Sequence, residues 1–203
     1  MKIKNNLLVV LVLIVASCSD SNKSTNLEVS LHDKPLLEVQ IQPRSAPNPN
    51  KNAYYGDLHV HTENSFDAYT FGTISTPADA YKYAQGYPIQ HPSGYLIQLS
   101  KPLDFYAVTD HGIFMGLMKE AADTTSKFSQ YEFTKPLHNL NKSASTGFFS
   151  LIKRQGLFRP FGEEVRAGLE NGSIDLSLIL EVGRTVWQKT IKAADDAYLP
   201  GTF

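Results

Sequence analysis

A chain of 203 residues is long enough for one domain with a real core, or for part of a larger one. Its 42% hydrophobic and 19% charged content is that of an ordinary globular protein. The formal net charge of -1 gives no electrostatic footprint for nucleic acid, and tracts such as IKRQGLFR are too short to make a basic face, so no nucleic-acid partner is expected.

The first elements are targeting signals. MKIKNN supplies Lys2 and Lys4, LLVVLVLIVA is a short apolar run, and Ser17 and Cys18 follow. A basic start, an apolar stretch and small residues at a cut site describe a secretory signal over residues 1–18. The run falls short of the roughly 20 apolar residues that a membrane-spanning helix needs. Cys18, the only cysteine, stands at the expected cut, so disulfides are absent. VASC resembles the bacterial lipobox, in which the cysteine is acylated and becomes the new N-terminus. That resemblance implies a lipid anchor, and Ser19 after it implies the outer membrane of a Gram-negative envelope. An ordinary signal peptide with an incidental cysteine is the alternative.

Residues 19–53 read as a flexible tether. SDSNKST is polar, and QPRSAPNPNKN is rich in Pro and Asn and forms neither a helix nor a central strand. Between them, PLLEVQIQ has the pattern of one short edge strand. The folded part is expected over 54–203.

YYGDLHVHT has strand character, and its period of two puts Asp57, His59 and His61 on one face. STPADAYKYAQG predicts a helix, with Thr76 as N-cap, Pro77 at the first position, Asp79 completing a capping box and Gly86 as the stop. YPIQHPSGYLIQL predicts two short strands around a Pro-Ser-Gly turn, and LDFYAVTDHG a second apolar strand. A helix is expected over IFMGLMKEAADTT. Residues 124–160 lack a period and read as a long surface insertion, after which GEEVRAGLE and IDLSLILEVGRTVWQKTIKAADDAY are helical. In the last of these, Leu178, Val182, Val186 and Ile191 mark the apolar face. Phe66, Tyr69, Phe71 and Trp187 are expected in the core. The element order gives an α/β fold with parallel strands.

Functional groups in α/β folds collect at the carboxyl ends of strands. Two strands here end in metal-ligand residues, DLHVHT and VTDHG. His59 and His61, two apart, point the same way, Asp67 follows in the loop, and His111 arrives from the second strand. Imidazole with carboxylate suits Zn, Mn or Fe. A pair of histidines on a strand is also an ordinary surface pattern, and the second Asp-His strand end weighs against that. Asp57 and Asp110 are placed to orient the imidazoles rather than to bind an ion. His32, His91 and His138 have no comparable context and are expected to be solvated.

GDLHVHTENSFDA and LDFYAVTDHG resemble the first two motifs of the polymerase-and-histidinol-phosphatase (PHP) metallohydrolases. The chain is similar in particular to a bacterial branch, domain-of-unknown-function family 3604, where YYGDLHVHT, SFDAY, TPADAY, HPSG and QLSKPLDFYAVTDH recur. The resemblance implies a distorted (β/α)7 barrel, two or three divalent ions at its C-terminal mouth, and hydrolysis of small phosphate esters through a metal-activated hydroxide. It makes His59 and His61 first-motif ligands, Asp67 a later ligand of that motif, and His111 the second-motif histidine. The family's glutamate, further histidines and final Asp-x-His have no match, and AADDAYLPGTF looks like the segment before the next strand. The expectation is thus a partial barrel: an N-terminal fragment, inactive by itself, of a membrane-anchored hydrolase. A truncated non-catalytic lipoprotein is one alternative, and an amidohydrolase-type metal hydrolase, which also opens on His-x-His, is another.

Overall fold

The computed structural model describes residues 46, 49, 51–142 and 148–203, all within the unit Leu36–Phe203. The expected signal segment with Cys18, and nearly all of the tether including PLLEVQIQ, lie outside the described residues. In chain order the elements are β1 (Gly56–Val60), α1 (Phe66–Thr70), α2 (Pro77–Ala84), β2 (Ile89–Gln90), β3 (Leu96–Ile97), β4 (Phe105–Val108), α3 (Leu117–Ala122), 3-10 turns at Phe128–Gln130 and Glu132–Leu137, α4 (Phe148–Asn171) and α5 (Leu176–Ala197). The class is α/β, as expected. No described helix is long and apolar enough to cross a membrane.

β1 and β4 pair in parallel, Gly56 opposite Phe105 and Val60 opposite Val108, with an irregularity between Asp57 and Val60. Its local cause is visible. The His59 N–H bonds to the Asp57 Oδ1 at 2.8 Å, which takes it out of the regular ladder. Such bulges re-aim side chains and are common beside functional sites. Among the described residues the parallel sheet has these two strands, and β1 is largely exposed, with Leu58 at 66%.

Gly56 explains itself by distance. A Cβ there would lie 2.1 Å from the Phe105 carbonyl oxygen, a backbone atom that cannot rotate away. Gly56→Ala is therefore expected to force the two strands apart and to cost on the order of 3 kcal/mol, at the upper end of overpacking changes. Urea unfolding measures it; a loss under about 0.5 kcal/mol, the scale of a neutral surface change, would mean the pairing tolerates separation.

α2 forms as its sequence predicts. The Thr76 Oγ1 accepts from the Asp79 N–H at 3.1 Å, and the Asp79 Oδ2 accepts from the Thr76 N–H at 3.0 Å. Pro77 occupies the first turn, where its missing N–H has no intrahelical partner to lose. β2 and β3 form the expected hairpin. His91 in its turn is not simply solvated: its Nδ1 accepts from the Ser93 N–H at 3.1 Å, and its ring stacks on Tyr95. His138 likewise is half-buried, its Nε2 3.1 Å from the Ser129 carbonyl oxygen.

Several expectations are corrected. The helix expected over 113–125 is confined to Leu117–Ala122, because Gly116 sits in the left-handed region at φ 76 and serves as its N-cap. A side chain at Gly116 would also meet the Val186 Cγ2 at 2.6 Å. The described residues between 124 and 160 do not form a surface insertion. Phe128 and Leu137 lie in the centre of the main core, packed with Leu117, Met118, Phe161 and Val165. α4 begins at Phe148 and runs through Pro160, although proline removes one intrahelical bond. Buried Arg154, Phe161 and Val165 recur at helical spacing, so tertiary burial outweighs the local break. On α5, Val182 is buried, but Trp187 and Ile191 are 56% and 45% exposed, which takes Trp187 out of the expected core and leaves Ile191 at the edge of the apolar face. Phe71 is also exposed, whereas Tyr69 is buried and Phe66 half-buried.

Candidate metal centre

The parallel pairing of β1 and β4 brings their carboxyl ends side by side, and the residues just beyond each end carry the chemistry. His61 follows β1, Asp67 lies in the first turn of α1, and His111 follows β4. The His61 Nδ1 stands 3.1 Å from the Asp67 Oδ2, and the His111 Nε2 stands 3.3 Å from the same oxygen. One donor atom from each of the three lies within 4.8 Å of the others; among the described residues this is the one such group of histidine, cysteine and acidic side chains. The two separations from Asp67 are those of donors that share an ion. Atoms 2.0–2.2 Å from a tetrahedral ion sit about 3.4 Å apart.

His59 is brought alongside rather than into this group. Its ring stacks on that of His61 with centroids 4.9 Å apart, while His61 meets His111 edge-on at 4.7 Å. The His61 side chain is 18% exposed and that of His111 44%, so the centre opens on the His111 side.

Partial burial pushes the Asp67 carboxyl up, but the Ala68 N–H, the Ser65 hydroxyl and the two imidazoles outweigh it. They hold Asp67 below the ordinary carboxylate value. The Ala68 N–H donates to the Asp67 Oδ1 at 2.7 Å.

The two aspartates beside the histidines act on backbone. Asp110 accepts the Thr62 N–H at 2.5 Å and the Thr62 hydroxyl at 2.6 Å, fixing the chain after His61 to the end of β4. Asp57 accepts from the His59 N–H, as described above. Thr62 and Ser65 are contributors that the sequence reading missed. Ser65 stands at the N-cap of α1 without capping it; its Oγ accepts instead from the His111 N–H at 3.0 Å. The signal was available in the position of Ser65 ahead of FDAYT, but a cap and a tie to a distant strand look alike in sequence.

A separate cleft of about 500 Å³ is lined by Glu63, Thr76, Lys119, Lys127, Glu181 and Lys189 among others, and none of the three clustered residues lines it. The Lys119 ammonium pairs with Glu63 there.

These observations define an α/β domain with a His-Asp-His cluster at adjacent parallel strand ends. Residues 48–203 match the family described as "Protein of unknown function (DUF3604)", and the chain belongs to that family. No curated protein matches the chain. No solved structure matches it either.

Proposed function

We propose that this domain belongs to a divalent-metal-dependent hydrolase of the PHP type that acts on small phosphate esters, and contributes metal ligands to it. The observation that carries this reading is the convergence of His61, Asp67 and His111 from two strand ends, with one Asp67 oxygen 3.1 Å and 3.3 Å from the two imidazoles. Three protein ligands with an open position is the pattern of catalytic rather than structural sites. Zinc, manganese or iron suits the donor set. Such an ion would supply Lewis-acid polarisation of a phosphoryl oxygen and activation of water. The chain's own part is to hold the ion on an ionised Asp67 and two imidazoles, with His59 stacked beside them. In this reading a lipid on Cys18 holds the domain at the outer membrane of a Gram-negative envelope. The partial (β/α)7 barrel belongs to the same proposal, built outward from β1 and β4.

The PHP reading carries two to three ions, while the described cluster has donors suited to one, so binding and turnover are separable. The test is a titration of the metal-stripped chain with Zn2+ and Mn2+, followed by assay on a chromogenic phosphate monoester. One tightly bound equivalent is expected, and His61→Ala should weaken it by at least about 100-fold, beyond the 10–100-fold typical of residues that only support a ligand. Turnover that His61→Ala abolishes supports the hydrolase. Binding without turnover supports the metal centre alone, which the hydrolase reading shares with the second reading, a non-catalytic metal-binding lipoprotein to which the one-ion donor set also points. A folded chain that binds neither ion ends both.

A further inference from the structure

α1 is only five residues long, yet it carries Asp67. A helix this short has no stability of its own and must be held from outside. Phe66 O accepts from the Thr70 hydroxyl at 2.6 Å, within the helix. Asp67 O accepts from the Phe71 N–H and Ala68 O from the Thr73 N–H, both local bonds. Tyr69 O accepts from the Gly72 N–H and also from the Asn141 Nδ2, at 2.9 Å. Thr70 O accepts from the Arg154 Nη1 at 3.2 Å.

Arg154 is 5% exposed, and among the described residues no carboxylate pairs with it. Its guanidinium is spent on neutral oxygens instead. Besides Thr70 O it donates to the Asn141 Oδ1 at 2.6 Å, the Leu140 O at 2.8 Å and, through Nε, the Ser150 Oγ at 3.3 Å. A buried cation without a counter-charge is costly unless its donors are well placed. Here they face the carbonyl end of a helix, where positive charge is favoured. One turn along α4, the Phe158 ring packs on Phe66 with centroids 4.7 Å apart, and Phe66 lies 4.9 Å from the His111 ring. α4 thus touches α1 at both ends: Arg154 at its last carbonyl, and Phe158 beside the residue that precedes Asp67.

We infer that α4 is the brace of the metal centre, and that Arg154 is a positioning residue which, with Asn141, fixes the end of α1 and so the place of Asp67 between the two imidazoles. This rests on the metal-binding reading above. Lysine is a poor substitute, because a point charge cannot serve the Thr70, Leu140 and Asn141 oxygens from one planar fork.

The experiment compares wild type, Arg154→Met, Arg154→Lys and Asn141→Ala for Zn2+ affinity, well below each melting temperature, and for amide hydrogen exchange across α1 and α5. Arg154→Met is expected to weaken Zn2+ by about 10–100-fold, the usual effect of losing a residue that supports a ligand. Exchange should rise in α1 and not in α5. Arg154→Lys should fall between Arg154→Met and wild type. If Arg154→Met does not fold, Asn141→Ala and Arg154→Lys decide, with weakened affinity in the folded protein expected for both. Variants that melt lower but bind Zn2+ as wild type does would make Arg154 purely structural and overturn the inference. Wild type failing to bind Zn2+ would be a different result, removing the metal centre itself and the brace with it.

Discussion

Replacing Asp67 with alanine is expected to lower divalent-ion affinity by well over 100-fold. Asp67 is the only carboxylate in the cluster, and one of its oxygens faces both His61 and His111. Its removal takes away a donor, a negative charge and the common partner of the two rings at once. Residues that merely orient a ligand are worth about 10–100-fold, and a ligand that also organises the other two exceeds that range. Asp67→Asn keeps the shape and loses the charge, so it should fall between wild type and Asp67→Ala. Competition with a chelator of known affinity measures all three. An Asp67→Ala variant within about threefold of wild type, less than 1 kcal/mol, would take this cluster out of metal binding.

Phe128→Ala is expected to cause the largest loss of stability, about 3–5 kcal/mol, because it empties a fully buried aromatic site. Phe128 packs edge-on against Tyr131, Phe133 and Phe161, with centroids at 5.5, 6.0 and 6.4 Å. These neighbours come from the 3-10 segment and from α4, so the ring joins two elements that share no sheet. For a chain of this size the loss corresponds to roughly 10 °C in Tm. A calorimetric shift of only a degree or two would mean the segment 128–137 is not integral to the core.

What the sequence made legible was local. The capping box at Thr76 and Asp79, the turn at His91–Gly94 and the strands at 56–60 and 105–108 are each written in adjacent residues. The clustering of His61, Asp67 and His111 was legible because their residue types announce chemistry and strand ends place them. The last part of α4 was legible in GEEVRAGLE, but its first part was hidden behind Gly156 and Pro160, two residues that ordinarily end helices. Its formation depends on burying Phe161 and Val165 against segments far away in the chain, which no local window contains. Trp187 failed in the opposite direction: its size suggested core, but the side of α5 that packs is the one bearing Val182 and Ala193. The supports of the centre were least legible of all. Arg154 lies 84 residues from the Thr70 carbonyl it binds, and Asp110 lies 48 from Thr62.

That last separation has a thermodynamic consequence. His59, His61 and Asp67 are neighbours even in an unfolded chain, but His111 joins them only when β4 docks beside β1. An ion that prefers the assembled set therefore binds the native state over the denatured one and shifts the folding equilibrium toward it. At a free concentration a hundred times its dissociation constant, the shift is about 2.7 kcal/mol. Loop closure between the two strands is then linked to occupancy, and a melting curve recorded against ion concentration becomes a binding isotherm.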